Sequence, residues 1–102
     1  MRIFFGCDHA GFELKQKLIS FVESLGHEVV DKGAFTLDEH DDYSDFVVPV
    51  AKEVAKDASS RGIILGGSGQ GEAIAANRIK GARAAVFYGG PLDIVKLSRE
   101  HN

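Results

Sequence analysis

The sequence predicts an α/β protein in which a parallel sheet carries helices on both faces. Short apolar runs alternate with stretches in which apolar residues recur every three to four positions, as expected for strands that alternate with amphipathic helices. The connections between them are short, which favours right-handed crossovers between parallel strands. With 102 residues the chain can build one hydrophobic core, so we expect a single domain over residues 1–102.

The first half of the chain is predicted to hold two strands and two helices. Residues 3–7 form a mostly apolar run, typical of a strand buried on both faces, and residues 28–31 form a shorter one. Between them a helix is expected from Gly11 to Gly26, where the glycine ends it. Its inward stripe is predicted to comprise Leu14, Leu18, Val22 and Leu25.

An acidic stretch separates these elements from the next helix. Residues 36–45 have no apolar period and are expected to form a solvated loop. The second helix is predicted to begin with Ser44 or Asp45 as its N-cap. Its apolar stripe comprises Val47, Val50, Ala51, Val54 and Ala55.

The second half is predicted to add two strands and two helices. Residues 62–65 read as a buried strand, followed by the glycine-rich turn 66–71 and a short helix over residues 73–76. A fourth strand is expected over residues 82–87. The last helix starts after Gly90-Pro91, with three apolar residues expected to face inward: Ile94, Val95 and Leu97.

Composition excludes several classes of protein. Twelve basic against 15 acidic residues give a net charge of −3, which argues against a nucleic-acid surface. No segment approaches the roughly 20 apolar residues of a membrane span, so no membrane association is expected. The single cysteine, Cys7, cannot close an internal disulfide, which favours a reducing, cytoplasmic location.

The strongest chemical signal is the segment GGSGQGE, residues 66–72. Its glycines let backbone N–H groups converge on an anion at a helix N-terminus, although a tight turn without a ligand has the same composition. Glu72 then has two readings. It is either a first-turn acid that serves the helix dipole, or a base beside an oxyanion cradle, as proton abstraction next to a carbonyl requires.

Other polar residues near the strand ends have structural and functional readings. Asp8 is either a helix cap or, with His9, an acid/base pair that faces the glycine loop. Cys7 is predicted to be a small buried residue and not a nucleophile. The acidic stretch lacks the ligand pattern of a calcium loop and no His/Cys spacing suggests zinc, so no metal site is expected.

Five ordered motifs resemble the ribose-5-phosphate isomerase B family, which includes the galactose-6-phosphate isomerase subunits. They are GCDHAG at 6–11, DYSDF at 42–46, GGSGQGEAIAANR at 66–78, GARAA at 81–85 and SREHN at 98–102. The resemblance implies a Rossmann-like, three-layer α/β/α fold and an aldose–ketose isomerase that acts through an enediolate. It also implies no cofactor, no metal, and a homodimer or tetramer with shared active sites.

The resemblance assigns roles to five residues outside the glycine loop. Asp8 and His9 match the pair that contacts the sugar and helps to open its ring. Tyr43 matches a tyrosine near the bound sugar. His101 matches the histidine that assists ring opening, and Asn102 matches an asparagine that binds substrate.

Within the glycine loop, Ser68 and three glycines match the segment that holds the enediolate oxygens: Gly67, Gly69 and Gly71. One branch of the family has a catalytic cysteine where this chain has Gly66, whereas the other uses a glutamate at the position of Glu72. The sequence resembles the glutamate branch, so Glu72 is the expected base.

The resemblance also indicates a difference in length. Family members continue past the Arg-Glu-His-Asn motif with a further strand and helices, so the chain is expected to be truncated at its C-terminus. Ribose 5-phosphate and ribulose 5-phosphate are the expected sugar phosphates. A galactose-6-phosphate isomerase subunit and a catalytically silent sugar-phosphate-binding domain remain as alternatives.

Overall fold

The computed structural model describes residues 1–102 and contains three strands and four α-helices. In chain order these are β1 (Arg2–Cys7), α1 (Phe12–Ser24), β2 (Glu28–Asp31), α2 (Ser44–Lys56), β3 (Arg61–Leu65), α3 (Gln70–Asn77) and α4 (Asp93–His101). A 3₁₀ turn over His9–Gly11 joins β1 to α1. None of the helices is long and apolar enough to cross a bilayer.

The strands form one parallel sheet in the order β2-β1-β3. Ile3 of β1 lies opposite Val29 of β2 and Arg61 of β3, so β1 is the central strand. The predicted parallel sheet is confirmed. Because all three strands run the same way, the segments that follow Cys7, Asp31 and Leu65 leave the sheet at one edge.

Helices cover both faces of this sheet, as predicted. On one face Ile3, Phe5 and Val22 form a buried cluster that joins α1 to the sheet. On the other face Val47 and Ala51 of α2 pack with Ala76 of α3 in a second cluster. Successive residues of β3 divide between the two, with Ile63 and Leu65 packed on the first and Ile64 on the second. This alternation is the pattern of a strand that packs on both faces.

The prediction of a fourth strand is wrong. Residues 82–88 carry no strand, although Ala82 and Ala84 pack on the second cluster. The side chain of Asn77 accepts from the Ala84 N–H (2.8 Å) and donates to the Ala84 carbonyl (2.9 Å). These two hydrogen bonds hold Ala84 to the last residue of α3.

The last helix also differs from the prediction. Helix α4 has no buried residue, and the three residues expected to face inward are half-exposed: Ile94, Val95 and Leu97. No residue of α4 therefore joins either hydrophobic cluster.

The inward face of α1 includes Leu18 and Val22, as predicted, but not the two end residues of the predicted stripe. Lys15 is fully buried, whereas Leu14 and Leu25 are exposed. The Lys15 ammonium donates to Asp31 Oδ1 (2.8 Å) and to the Ala34 carbonyl, which compensates for its burial. Helix α2 begins at Ser44, and its N-cap is Tyr43, so the predicted N-cap residues Ser44 and Asp45 already lie inside the helix.

Candidate active site

The loops that follow β1 and β3 meet at the carboxyl edge of the sheet. A Cβ placed on Gly11 would lie only 2.6 Å from Leu65 Cβ, so the glycine allows the first loop to approach β3 closely. A Cβ on Gly67 would lie 3.9 Å from Ala10 Cβ. The two loops that the sequence singles out therefore come into contact.

Glu72 lies buried beneath the glycine loop, with only 5% of its surface exposed. Its carboxylate occupies the space into which a side chain on Gly66 would project, and a Cβ there would overlap the carboxylate atoms. The Glu72 carboxylate therefore fits in this position only because residue 66 is a glycine. A glutamate that only served the helix dipole would gain nothing from burial, since a buried carboxylate loses hydration.

The glycine loop enters α3 through a left-handed residue. Gly69 has φ +79°, a conformation that favours glycine, and it is the N-cap of α3. The N–H of Gln70 donates to Ser68 Oγ at 3.2 Å. Gly67 and Ser68 are exposed, so this part of the loop is accessible to a ligand above Glu72.

Tyr43 brings a third segment to the same place. Its side chain lies against Gly71, where an added Cβ would be 3.0 Å from the tyrosine Oη. Tyr43 is half-buried and also packs on the cluster that joins α2 and α3. The DY motif is therefore adjacent to the start of α3.

Asp8 and His9 lie at the end of β1, in the 3₁₀ turn. Asp8 Oδ1 accepts from the Ala10 N–H at 3.0 Å, which is the capping role that its position allows. The backbone N–H and ring Nδ1 of His9 both lie within hydrogen-bond distance of Asp41 Oδ1, at 3.1 and 2.9 Å. The hydrogen bond to Asp41 raises the pKa of His9, while partial burial opposes this.

Asp41 is the residue that sequence reasoning missed. It lies in the acidic stretch expected to be a solvated loop, yet only 8% of its side chain is exposed. The sequence does not distinguish Asp41 from the other carboxylates of this stretch, except that Asp41 directly precedes the DY motif.

Two further features lie at the end of β1: the group formed by Asp8, His9 and Asp41, and the Cys7 thiol. Polar atoms of Asp8, His9 and Asp41 lie within 4.8 Å of one another, but their hydrogen bonds already account for this grouping. Cys7 is fully buried, as predicted, and burial raises the pKa of its thiol. A thiol in this state is a poor nucleophile.

His101 and Asn102 lie apart from this group. Both are exposed at the end of α4, where the Asn102 side chain donates to the Ser98 carbonyl (3.2 Å). Asn102 lines a cavity together with Arg61 and Gly62, which belong to the amino end of β3. Glu72 follows the opposite end of that strand. Within one chain, the structure groups Asp8, His9, Tyr43, the glycine loop and Glu72, but does not bring Asn102 to them.

Comparisons with known proteins find relatives over nearly the whole of this chain. The family model described as Ribose/Galactose Isomerase matches residues 3–102. The ribose-5-phosphate isomerase B of Mycolicibacterium paratuberculosis is 49% identical over the whole chain. Two solved structures superpose over nearly the whole chain. They are ribose-5-phosphate isomerase B from Clostridium thermocellum (40% identity, TM-score 0.90, 99% of this chain) and from Mycoplasma genitalium with bound ribulose 5-phosphate (36%, 0.91, 98%).

The chain is shorter than these relatives. It spans 63% of the length of the M. paratuberculosis protein, and 66% and 65% of the two solved chains. The fold prediction is confirmed over the shared part, since the superposed structures include the parallel sheet and the loops at its carboxyl edge. The roles assigned to individual site residues stay predictions.

Proposed function

The chain belongs to the ribose/galactose isomerase family, and we propose that it interconverts ribose 5-phosphate and ribulose 5-phosphate, with Glu72 as the base. The names of the similar proteins support the substrate pair. The observation that carries the proposal is the burial of the Glu72 carboxylate beneath the glycine loop. Proton transfer at carbon requires a base and hydrogen-bond donors for the oxyanion. A buried carboxylate next to exposed backbone N–H groups supplies both.

In the proposed reaction, Glu72 takes the proton from C2 of the open-chain aldose and returns it to C1, while a proton passes from the C2 hydroxyl to the C1 oxygen. The negative charge that develops on the enediolate oxygens is stabilised by the Ser68 hydroxyl and by N–H groups of residues 67–71 other than that of Gln70, which donates to Ser68 Oγ. Because the base stands at this loop, the carbonyl end of the sugar is placed here and its phosphate farther away. Asp8 and His101 assist ring opening, whereas His9, Tyr43 and Asn102 bind the sugar.

A second copy of the chain would help to complete this site. His101 and Asn102 are carried by α4, whose apolar residues are half-exposed, and Leu92 just before it is 77% exposed. An uncovered apolar helix of this kind is typical of an interaction surface. We therefore include a homodimer in the proposal, with α4 near the contact.

The test compares Glu72→Gln with Glu13→Gln. Both variants remove an acid from the first turn of a helix, but Glu13 is exposed at the start of α1. If Glu72 is the base, kcat of Glu72→Gln falls by about 10²–10⁴ while KM for ribose 5-phosphate changes little. Glu13→Gln keeps kcat within the scatter of the assay. Thermal unfolding of each variant separates loss of chemistry from loss of fold.

Three results would contradict the proposal. Unchanged turnover in folded Glu72→Gln would exclude Glu72 as the base. Turnover of galactose 6-phosphate in preference to ribose 5-phosphate by the unaltered chain would indicate a galactose-6-phosphate isomerase subunit. Binding of both pentose phosphates without turnover would indicate a silent binding domain.

A further inference from the structure

The strongest feature outside the proposed proton-transfer group is the contact between the acidic stretch and the end of β1. Asp41 lies 32 residues from His9 in the sequence, yet a single oxygen, Oδ1, accepts from both the backbone N–H and the ring of His9. A carboxylate only accepts hydrogen bonds, so the ring nitrogen that faces it, Nδ1, carries a proton. The Asp41 contact therefore determines the orientation of the ring and leaves Nε2 as the nitrogen available to another group.

The environment of Asp41 favours a positive charge on His9. The side chain of Asp41 is 8% exposed, and its second oxygen, Oδ2, is buried without a hydrogen-bond partner. A carboxylate in this position is unfavourable unless an opposite charge stands beside it. The group beside it is the His9 ring, 2.9 Å away.

The other charged groups that act on His9 have the same sign as Asp41. They are the carboxylates of Asp8 and Glu39, from the 3₁₀ turn and the acidic stretch. Each favours the imidazolium form, and the hydrogen bond to Asp41 is the largest contribution to the raised pKa of His9. With 37% of its side chain exposed, the ring remains accessible from outside.

From this geometry we infer that Asp41 is a positioning residue, which holds the His9 ring in place as a cationic donor towards the bound sugar phosphate. The inference rests on the proposed isomerase function for the identity of the ligand. The anchoring contact itself does not depend on that function. The hydrogen bonds that the Asp41 side chain accepts come from His9, so its effect is expected on substrate binding and on pH dependence, not on the proton transfer.

The expected pH dependence follows from the direction of the shift. The pKa of His9 is raised, so the imidazolium persists above the ordinary value of about 6.5 and is lost as pH rises through the higher pKa. Affinity for an anionic sugar phosphate is therefore expected to weaken as pH rises through that value. Without the Asp41 charge, the same weakening begins at lower pH.

The experiment uses Asp41→Asn and Asp38→Asn in the full chain. Asparagine at 41 keeps an oxygen that can accept from His9 but removes the charge. Asp38→Asn removes the same charge from the same stretch, where Asp38 Oδ1 accepts from the His40 N–H (2.9 Å) and not from His9. The ring nitrogens of His9 are titrated by NMR, and the affinity and turnover of ribose 5-phosphate are measured across pH.

In Asp41→Asn we expect the His9 titration to move to lower pH, and KM near neutral pH to rise about tenfold, as for a lost charge-assisted hydrogen bond, with kcat nearly unchanged. Asp38→Asn is expected to titrate like the unaltered chain. An unmoved His9 titration in Asp41→Asn would overturn the inference, as would equal effects of the two variants on KM. Should the unaltered chain neither bind nor convert ribose 5-phosphate, the proposed function is wrong, and the NMR titration alone decides whether Asp41 controls His9.

Discussion

Strand β1 and helix α4 differ in how much of their surface the rest of the chain covers. In β1, all residues after Arg2 are buried, and Phe5 is completely inaccessible. In α4 no residue is buried, and the residues that precede it include Tyr88 and Leu92, at 80% and 77% exposure. One element is central in the sheet with helices on both faces, whereas the other follows a segment that adds no strand.

This difference divides the proposed site into two parts. Asp8 follows β1 directly, and Glu72 belongs to α3, which packs against α2. The proposed base and one of the two groups proposed for ring opening are thus held by the packed body of the domain. His101 and Asn102 end α4, in which no residue is buried. The residues proposed for this site therefore lie in regions of unequal packing.

The largest expected effect is on the packed body. Phe5→Ala removes a fully buried aromatic ring and leaves a cavity, so the free energy of unfolding is expected to fall by about 3–5 kcal/mol. Leu92→Ala, the matched truncation in the exposed segment, is expected to change it by no more than about 0.5 kcal/mol. Urea denaturation at low protein concentration measures both. A comparable loss in Leu92→Ala would mean that the segment before α4 is packed in solution.

A smaller effect is expected at the contact between α1 and β2. Lys15→Met keeps most of the apolar stem but leaves Asp31 and the Ala34 carbonyl without the buried ammonium. Loss of a buried hydrogen-bond partner costs about 1–3 kcal/mol, so the midpoint of urea unfolding should fall accordingly. Lys17→Met on the exposed side of the same helix is the control. Equal stability of the two variants would show that Lys15 contributes no net stabilisation.

The smallest effect is expected where the two regions join. Asn77→Ala removes both hydrogen bonds to Ala84, but this backbone is accessible to water. The expected loss is about 1 kcal/mol, with faster amide exchange at Ala84 measured by NMR. An Ala84 amide that stays protected in Asn77→Ala would mean that residues 82–88 are held by something other than this side chain.

Local patterns in the sequence were sufficient to place most of the elements and part of the site. The helix and strand periods predict β1, α1, β2, α2, β3 and α3, because burial on one or two faces imposes those periods on the residues themselves. The position of the glycine loop and Asp8 after parallel strands places them at one edge. That edge is where the structure puts them.

Pairings between distant residues required the tertiary structure. Lys15 reads as a surface residue, yet it is buried beside Asp31. Asp41 reads as one carboxylate among several, yet it is buried beside His9. Residues 82–88 likewise read as a strand in the sequence, yet they form none, and Ala84 hydrogen-bonds to the Asn77 side chain. Burial of a charged group is favourable only when its partner is present, and a strand forms only beside another strand. Neither condition can be read from the residues nearby in the sequence, because each depends on what the fold places next to them.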